Sequence, residues 1–525
     1  MAQLQPITLV APGSKGLNKE QENNLLPPQW ATEATNCVVD RGGRIASRKG
    51  WADQTTTPIA GTHSIDVVHE YVQQDGTKVV ISTANNKVYK DFTDFTDAAN
   101  DITSSTAPSA DNWQFINFND YVLGFQKGEN AIVWQNSGDF ADVSFSTTGQ
   151  AGTFDAGNCA AAAFGRVWIA DADLQTLRYS ALLDHTDFTT ANGGGYIDMS
   201  SVWTQGMDEI VAIAALGANL IVFGRNHIIL WADNSGSEIG INPTNMYVVD
   251  TIEGTGCIAR DSVQNIGEGD MWYLSRHGVQ SLGRVIQDKN NPLASVTKNI
   301  KTTMISYIQS EIALDSKLDA VRSIHSPENG LYLLNLPAQD IQICIDTKRP
   351  FQDEDGQMGY AVTEWTLGGS IKGMTVRSNG DVLFGSSGVM GRYEGSIDNA
   401  EAYTMSFWSA WLDLGELNNR LKMMKEISAL IQIGGAGSAT YRWEFDFSGT
   451  TSSKTLAYTA PTASEFNVAE WNIGEFSGSL TIQRKNFPGC GQGQFIRVGA
   501  TTSINGFNLV LQQLQLTPKL GRLVA

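Results

Sequence analysis

The sequence predicts a mainly β protein, a β-propeller of six or seven blades joined to a β-rich platform domain. Three observations carry that prediction. One phrase occurs seven times between Gly76 and Gly391: a Gly/Asn/Asp turn, an apolar strand, a short turn, a second strand. Anchored on Gly76, Asn119, Gly165, Gly217, Gly269, Gly330 and Gly380, the copies lie 43, 46, 52, 52, 61 and 50 residues apart. Hairpins recurring at roughly 40–50 residues are the signature of propeller blades. Second, beyond residue 400 the strands change style and lose that phrase. Third, 52 glycines against 14 prolines suit many tight turns between short strands.

Residues 1–60 read as an extended N-terminal arm that forms part of the platform. Pro12, Pro27, Pro28 and Pro58 interrupt any helix, and Gly13, Gly16, Gly42 and Gly43 punctuate turns. A hairpin is expected where Cys37, Val38 and Val39 lead into a turn at Asp40–Gly43 and out through Arg44–Arg48. Residues 61–400 are the propeller. Each hairpin alone leaves an apolar face wet, and stacking the blades around one axis buries those faces and leaves a central channel. The widest gap, between the fifth and sixth phrases, holds an inserted helix near 292–315. There Pro292 suits a helix start, and Val296, Ile300, Ile305, Ile308 and Ile312 recur at helical spacing. Such a helix packs outside the ring or against a neighbour. Residues 401–525 form the C-terminal β platform, with strands such as KEISALIQIGG, YRWEFDFSG and the cleanly alternating FNLVLQQLQL.

Composition narrows the function classes. At 525 residues two or three domains are expected. No apolar run approaches the roughly 18 residues of a membrane helix, and no basic-then-apolar secretory leader opens the chain. Five cysteines (Cys37, Cys159, Cys257, Cys344, Cys490) lie far apart with no CxxC pair, which reads as buried free thiols in a reducing compartment. The net charge is −19, unevenly spread. Residues 1–60 hold 6 Lys/Arg and 5 Asp/Glu, and residues 401–525 hold 10 and 9, so each end is +1 and residues 61–400 carry −21. A protein that grips DNA shows the opposite sign, because neutralising phosphates takes Lys and Arg. The plainer reading of the acidity is a solvated, solubilising surface.

The catalytic search is negative for HExxH, GxxxxGK[ST], GxSxG and EF-hand patterns. The glycosidase-propeller box Ser-x-Asp-x-Gly-x-Thr-Trp is also missing. Gly254-Thr-Gly256-Cys-Ile-Ala259 matches a dinucleotide fingerprint, but a second strand arrives too soon for the helix that the fingerprint must open, so turn glycines explain it. His63 and His69 are about 20 Å apart along a strand, too far to share a metal. Asp353-Glu354-Asp355-Gly356 and Asp91, Asp94 and Asp97 could hold a hard cation, although solvated turns explain them better. No catalytic residue, cofactor or metal is assigned.

Two stretches resemble one family. The first runs Leu25-Leu26-Pro27-Pro28, then Ala31, Ala34, Asn36, Asp40, Gly43-Arg44-Ile45 and Arg48-Lys49-Gly50-Trp51. The second is Gly256-Cys257-Ile258-Ala259-Arg260-Asp261-Ser262-Val263, followed by Gly269 to Val279. Both are similar to tail nozzle proteins of short-tailed bacteriophages, also called tail tubular protein B or packaged-DNA stabilisation proteins. The resemblance implies a virion tail component, assembled in the host bacterial cytoplasm as a homo-oligomeric ring, by analogy a hexamer. It implies a tail adaptor above the ring, tail fibres or spikes beside it, and genomic DNA passing without sequence readout. Missing room for large insertions between blades sets this chain apart from the longer nozzles.

The expectation is therefore a non-enzymatic structural protein whose acidic middle surrounds a DNA path. An acidic wall repels phosphates, so duplex DNA slides without sticking. Leu26, Pro27, Pro28, Arg48, Gly50 and Trp51 are the expected assembly contacts, fixing the arm against the platform or a neighbour; ordinary turn and core roles are the plainer alternative. The rival reading is a carbohydrate-binding or glycan-degrading propeller of a phage tail, because many Trp and Tyr suit stacking on sugars. A third is an intracellular interaction scaffold.

Overall fold

The computed structural model describes residues 6–523, apart from 62, 105–107, 109–111, 155, 205, 234–240, 268, 289–294, 315–317, 353–355, 414–419 and 460–480. The chain is mainly β, and its propeller arrangement rests on six free-standing sheets of three or four strands. Five of them follow the chain, at Val67–Lys90, Gln114–Asp142, Ala156–Asp198, Ile210–Glu253 and Gln264–Ser281. The sixth joins three strands within Gly373–Arg392 to a strand from the arm. Each blade is an antiparallel meander built on the predicted turns, and Asn119, Gly165, Gly217, Gly269, Gly330 and Gly380 take up positive φ there.

The blades hold together through apolar layers between neighbouring sheets. Tyr71 and Ile81 pack on Trp113 and Val122, Leu123 on Val167, Leu177 on Leu220, and Phe223 on Tyr273. Ile65 and Val80 pack on Leu383 and Met390, which brings the last blade against the first and closes the ring. Burying both faces of every sheet is why these strands read as apolar runs.

The N-terminal arm contributes five strands: β1 (Ile7–Val10), β2 (Ala31–Thr35), β3 (Cys37–Val39), β4 (Ile45–Ser47) and β5 (Ala52–Asp53). The expected hairpin is present, with Cys37 opposite Ser47 and Val39 opposite Ile45. β1 and β4 both pair with the long C-terminal strand Leu509–Leu523. β2 lies between Tyr403–Ser409 and Val362–Trp365. β5 pairs with Met390–Arg392 and so completes the last blade.

Two expectations need correction. The boundary at residue 400 does not separate two bodies. The strands Arg322–Ser326, Leu331–Leu336 and Ile341–Asp346 fill the ring between the fifth and last blades, and their sheet then continues through Val362–Trp365 and β2 into the platform, nine strands in all. A second, seven-stranded sheet carries β1, β3, β4 and the strands Arg420–Ile433 and Thr481–Pro488. The two sheets share one core, with Ile427, Ile431, Leu511 and Leu514 facing Phe407, Tyr441 and Trp443.

The inserted helix lies within its expected range but is shorter, and it packs elsewhere than expected. Two helices form, α1 (Leu282–Asp288) and α2 (Lys301–Ile312), and Pro292 falls outside the described residues. The buried face of α2 is Met304, Ile308 and Glu311, while Ile312 is exposed. Val296, Ile300 and Ile308 are buried as the spacing predicts, but at the end of the helix Glu311 takes the inner position instead of Ile312, its carboxylate accepting from the backbone N–H of Ala338 at 2.8 Å. The helix packs in the core shared with the platform, not on the outside of the ring.

Candidate functional site: the arm junction and the propeller axis

Arg48 is the centre of the arm junction. Its side chain is 0% exposed and its guanidinium forks onto the Asp398 carboxylate at 2.5 and 2.8 Å. Nε donates to Asn36 Oδ1 at 2.9 Å, and Nη2 donates to the Thr366 carbonyl at 3.0 Å. Asn36 sits at φ +53 and in turn donates to Thr366 Oγ1 and the Thr404 carbonyl. The Tyr403 ring lies 4.0 Å from the Arg48 guanidinium carbon, and its hydroxyl donates to the Arg48 carbonyl. One side chain therefore ties the arm, the end of the propeller and the first platform strand.

Gly50 is glycine because the chain passes too close for anything larger. A Cβ there would lie 1.9 Å from the Ile397 carbonyl oxygen. Trp51 is buried beside Trp365, Phe384 and Tyr393, wedged between the last blade and the sheet before it. Leu26 is buried with Trp30 and Ala410. The Pro27 and Pro28 carbonyls accept from Trp30 and Gly13, and Pro28 itself is exposed. Of the predicted contact residues, Leu26, Arg48, Gly50 and Trp51 are thus enclosed by their own subunit. Within the chain they fix the arm to the platform and the last blade.

The second stretch of the resemblance builds the propeller axis. Gly256 passes the Gly224 carbonyl so closely that a Cβ would sit 2.3 Å from it. Ser262 Oγ donates to the Ala259 carbonyl and accepts from the Leu274 amide, which locks the turn. That turn presents Arg260 and Asp261 to the axis. Arg260 reaches Asp261 at 2.7 and 3.0 Å, and Arg322 reaches the same carboxylate at 2.7 Å. Both arginines also donate to Asn112 Oδ1. Burial pushes the Asp261 carboxyl up, and the two guanidinium groups more than offset that, holding it below the ordinary range. This network spans a cavity of about 410 Å³ lined by inner strands of the blades, with Phe115, His69 and His325 on its walls. Burial lowers the pKa of both histidines, so they are neutral near pH 7.

The remaining sequence candidates resolve as structure. The glycine fingerprint follows the strand Met246–Glu253 and leads to Gln264–Gly267 with no helix between them. Asp91, Asp94 and Asp97 cap their own turns through the amides of Thr93, Thr96 and Ala99. Asp353–Asp355 lie outside the described residues. No group of three or more metal-ligating side chains occurs among the described residues. Sequence reasoning missed Asp398, Asn112 and Arg322, because nothing local marks a partner 350 residues from Arg48.

No family model and no curated protein matches the chain. Among solved structures, it is similar to a streptogramin B lyase at 11% identity and TM-score 0.36, covering 66% of this chain and 97% of that one. It is similar to a protein described as a 6-phosphogluconolactonase from Bacteroides fragilis at 9% identity and TM-score 0.31, covering 67% and 92%. The WD40 β-propeller domain of Doa1 follows at 12% identity and TM-score 0.25, covering 52% and 88%. The first two are named as enzymes.

Proposed function

We propose that the protein is a structural component of a short-tailed phage tail: a nozzle subunit that assembles as a ring below the adaptor, retains the packaged genome and conducts it at ejection. The observation that carries this reading is the convergence of the N-terminal motif. Asn36, Arg48, Gly50 and Trp51, which carry the resemblance, meet at one buried junction binding propeller to platform. Such a joint suits a part that must hold its shape against pressurised DNA. The charge partition supports the same reading, since −21 falls on residues 61–400 and the ends are near neutral. Side chains of Arg260, Asp261, Arg322 and Asn112 occupy the propeller's own axis. On this reading DNA runs along the axis of the oligomer, the propellers stand around it, and no catalytic role is needed.

Electron micrographs of the purified chain test the proposal, with a mobility-shift titration on duplex DNA beside them. Hollow rings of rotational symmetry and no tight DNA binding at physiological salt are expected. A monomer at every concentration, or a ring that holds duplex tightly, would refute it. Cleavage of a bacterial polysaccharide by the purified chain would favour the glycan-degrading reading instead.

A further inference from the structure

We propose that a groove at the foot of the arm hairpin docks an acidic turn from a second copy of this chain, an inference that rests on the ring reading above. The groove is a cavity of about 550 Å³ where the β3–β4 turn, the sheet next to the last blade and the C-terminal strand meet. Its floor is apolar, with Val38, Leu331 and Leu509. Its walls hold five cations and three carboxylates (5 − 3 = +2) in a chain whose net charge is −19.

The surplus is larger than that count. Asp40 is already taken by Arg44, at 2.5 and 2.9 Å. Asp346 is buried, and that burial holds its carboxyl above the ordinary range, disfavouring its charge. Lys49 donates to the Asn329 side-chain oxygen and Lys348 to the Glu328 backbone carbonyl, both neutral acceptors. Among the described residues no carboxylate lies within ion-pair distance of Arg41, Lys49, Lys348 or Arg349. Apart from the paired Arg44 and Asp40, among the described residues these four cations share the groove with only Glu328 and the buried Asp346, so the concave surface keeps a positive surplus arranged to meet an anionic partner.

The same chain carries the complement. The turn with Asp91, Asp94 and Asp97 stands on the first blade, and its carboxylates bond to hydroxyls and amides of that turn and, from Asp94, to the Thr57 hydroxyl. No Lys or Arg among the described residues pairs with it. An acidic turn entering the basic groove of the next copy is a heterologous contact, and such contacts close into rings when the rotation per copy divides a full turn.

The test is charge exchange on the full chain, read by light scattering and electron microscopy. Lys348→Glu with Arg349→Glu should lower the assembled fraction roughly tenfold or more, since charged contacts are lost and repulsion added. Asp91→Lys, Asp94→Lys and Asp97→Lys together should do the same. Mixing the two variants should restore rings of alternating subunits, because each groove then faces a turn of opposite charge. That rescue also shows that both variants fold. Rings that persist in either variant, or a loss that mixing does not repair, would overturn the groove assignment while leaving the nozzle reading intact. A wild-type chain that never assembles would sink both.

Discussion

Replacing Arg48 by methionine tests the junction most directly. The side chain keeps much of its volume but leaves Asp398, 4% exposed, with a buried and unanswered charge. Removing one partner of a buried ion pair costs about 3–5 kcal/mol. The stacking of the guanidinium on Tyr403 adds about 0.5–2 kcal/mol. The sum is a large share of the roughly 5–15 kcal/mol that holds a folded protein together. Because Arg48 also bonds Asn36 and Thr366, its loss should uncouple propeller from platform as well as destabilise both. Calorimetry should then resolve two transitions where the wild type shows fewer. Urea titration followed by tryptophan fluorescence gives the free energy. In the double variant Arg48→Met/Asp398→Leu the stranded charge is gone, so most of the loss should return. A single variant within about 1 kcal/mol of wild type, or a double variant no more stable than the single, would refute the reasoning.

Three further outcomes follow from the same structure. Gly50→Ala places a methyl against the Ile397 carbonyl and should cost at least about 1–3 kcal/mol by urea titration, whereas Gly217→Ala, with open space around it but φ +60, should be milder. Cys490 is exposed and the other four thiols are buried, so an aromatic disulfide reagent should modify one thiol per native chain and five in denaturant. Burial pushes Cys159 up to about 12 and Cys257 to about 11, which slows them further. Burial also lowers His69, His185 and His325. The folded chain then binds fewer protons than the unfolded one just below pH 6.5, so stability is full above that pH and falls as pH drops through it. A melting temperature that declines between pH 7 and 5, less steeply in His69→Gln, checks this; a flat or rising profile contradicts it.

The repeat was legible in the sequence because its cause is local. Each turn needs a residue that tolerates positive φ, and each strand needs an apolar run, so Asn119, Gly165 and Gly217 mark blades without help from distant parts. The β3–β4 hairpin was legible for the same reason. What stayed hidden depends on partners far along the chain. Val362–Trp365 looks like any short strand, and only pairing with β2, more than 300 residues away, makes it the bridge between propeller and platform. β5 is two residues long and carries no pattern, yet it completes the last blade. Glu311 shows how a buried polar contact defeats periodicity, since an acidic residue on a helix ordinarily marks the wet face. The candidate site was half visible: the motif residues stood out, while Asp398, Arg322 and Asn112, which give those residues their chemistry, did not.

The charge partition and the interlock have one physical origin. Sheets that pack face to face must bury one surface of every strand, and a buried surplus of like charge is expensive. The arm and the C-terminal region supply most strands of the two platform sheets, and their charges are matched nearly one for one. Several are matched in contact, as Arg44 with Asp40, Arg442 with Glu33 and Arg497 with Glu444. The blades bury their faces too, but their turns and outer edges stay in water, where carboxylates cap turns at little cost. The acid therefore collects on turns such as those at Asp94, Asp173 and Asp184. A polyanion near such a surface meets carboxylates held by the backbone itself, so the repulsion does not depend on flexible side chains finding a pose. The neutral ends are left to make the rigid joint, and the acidic middle keeps its carboxylates on solvated turns.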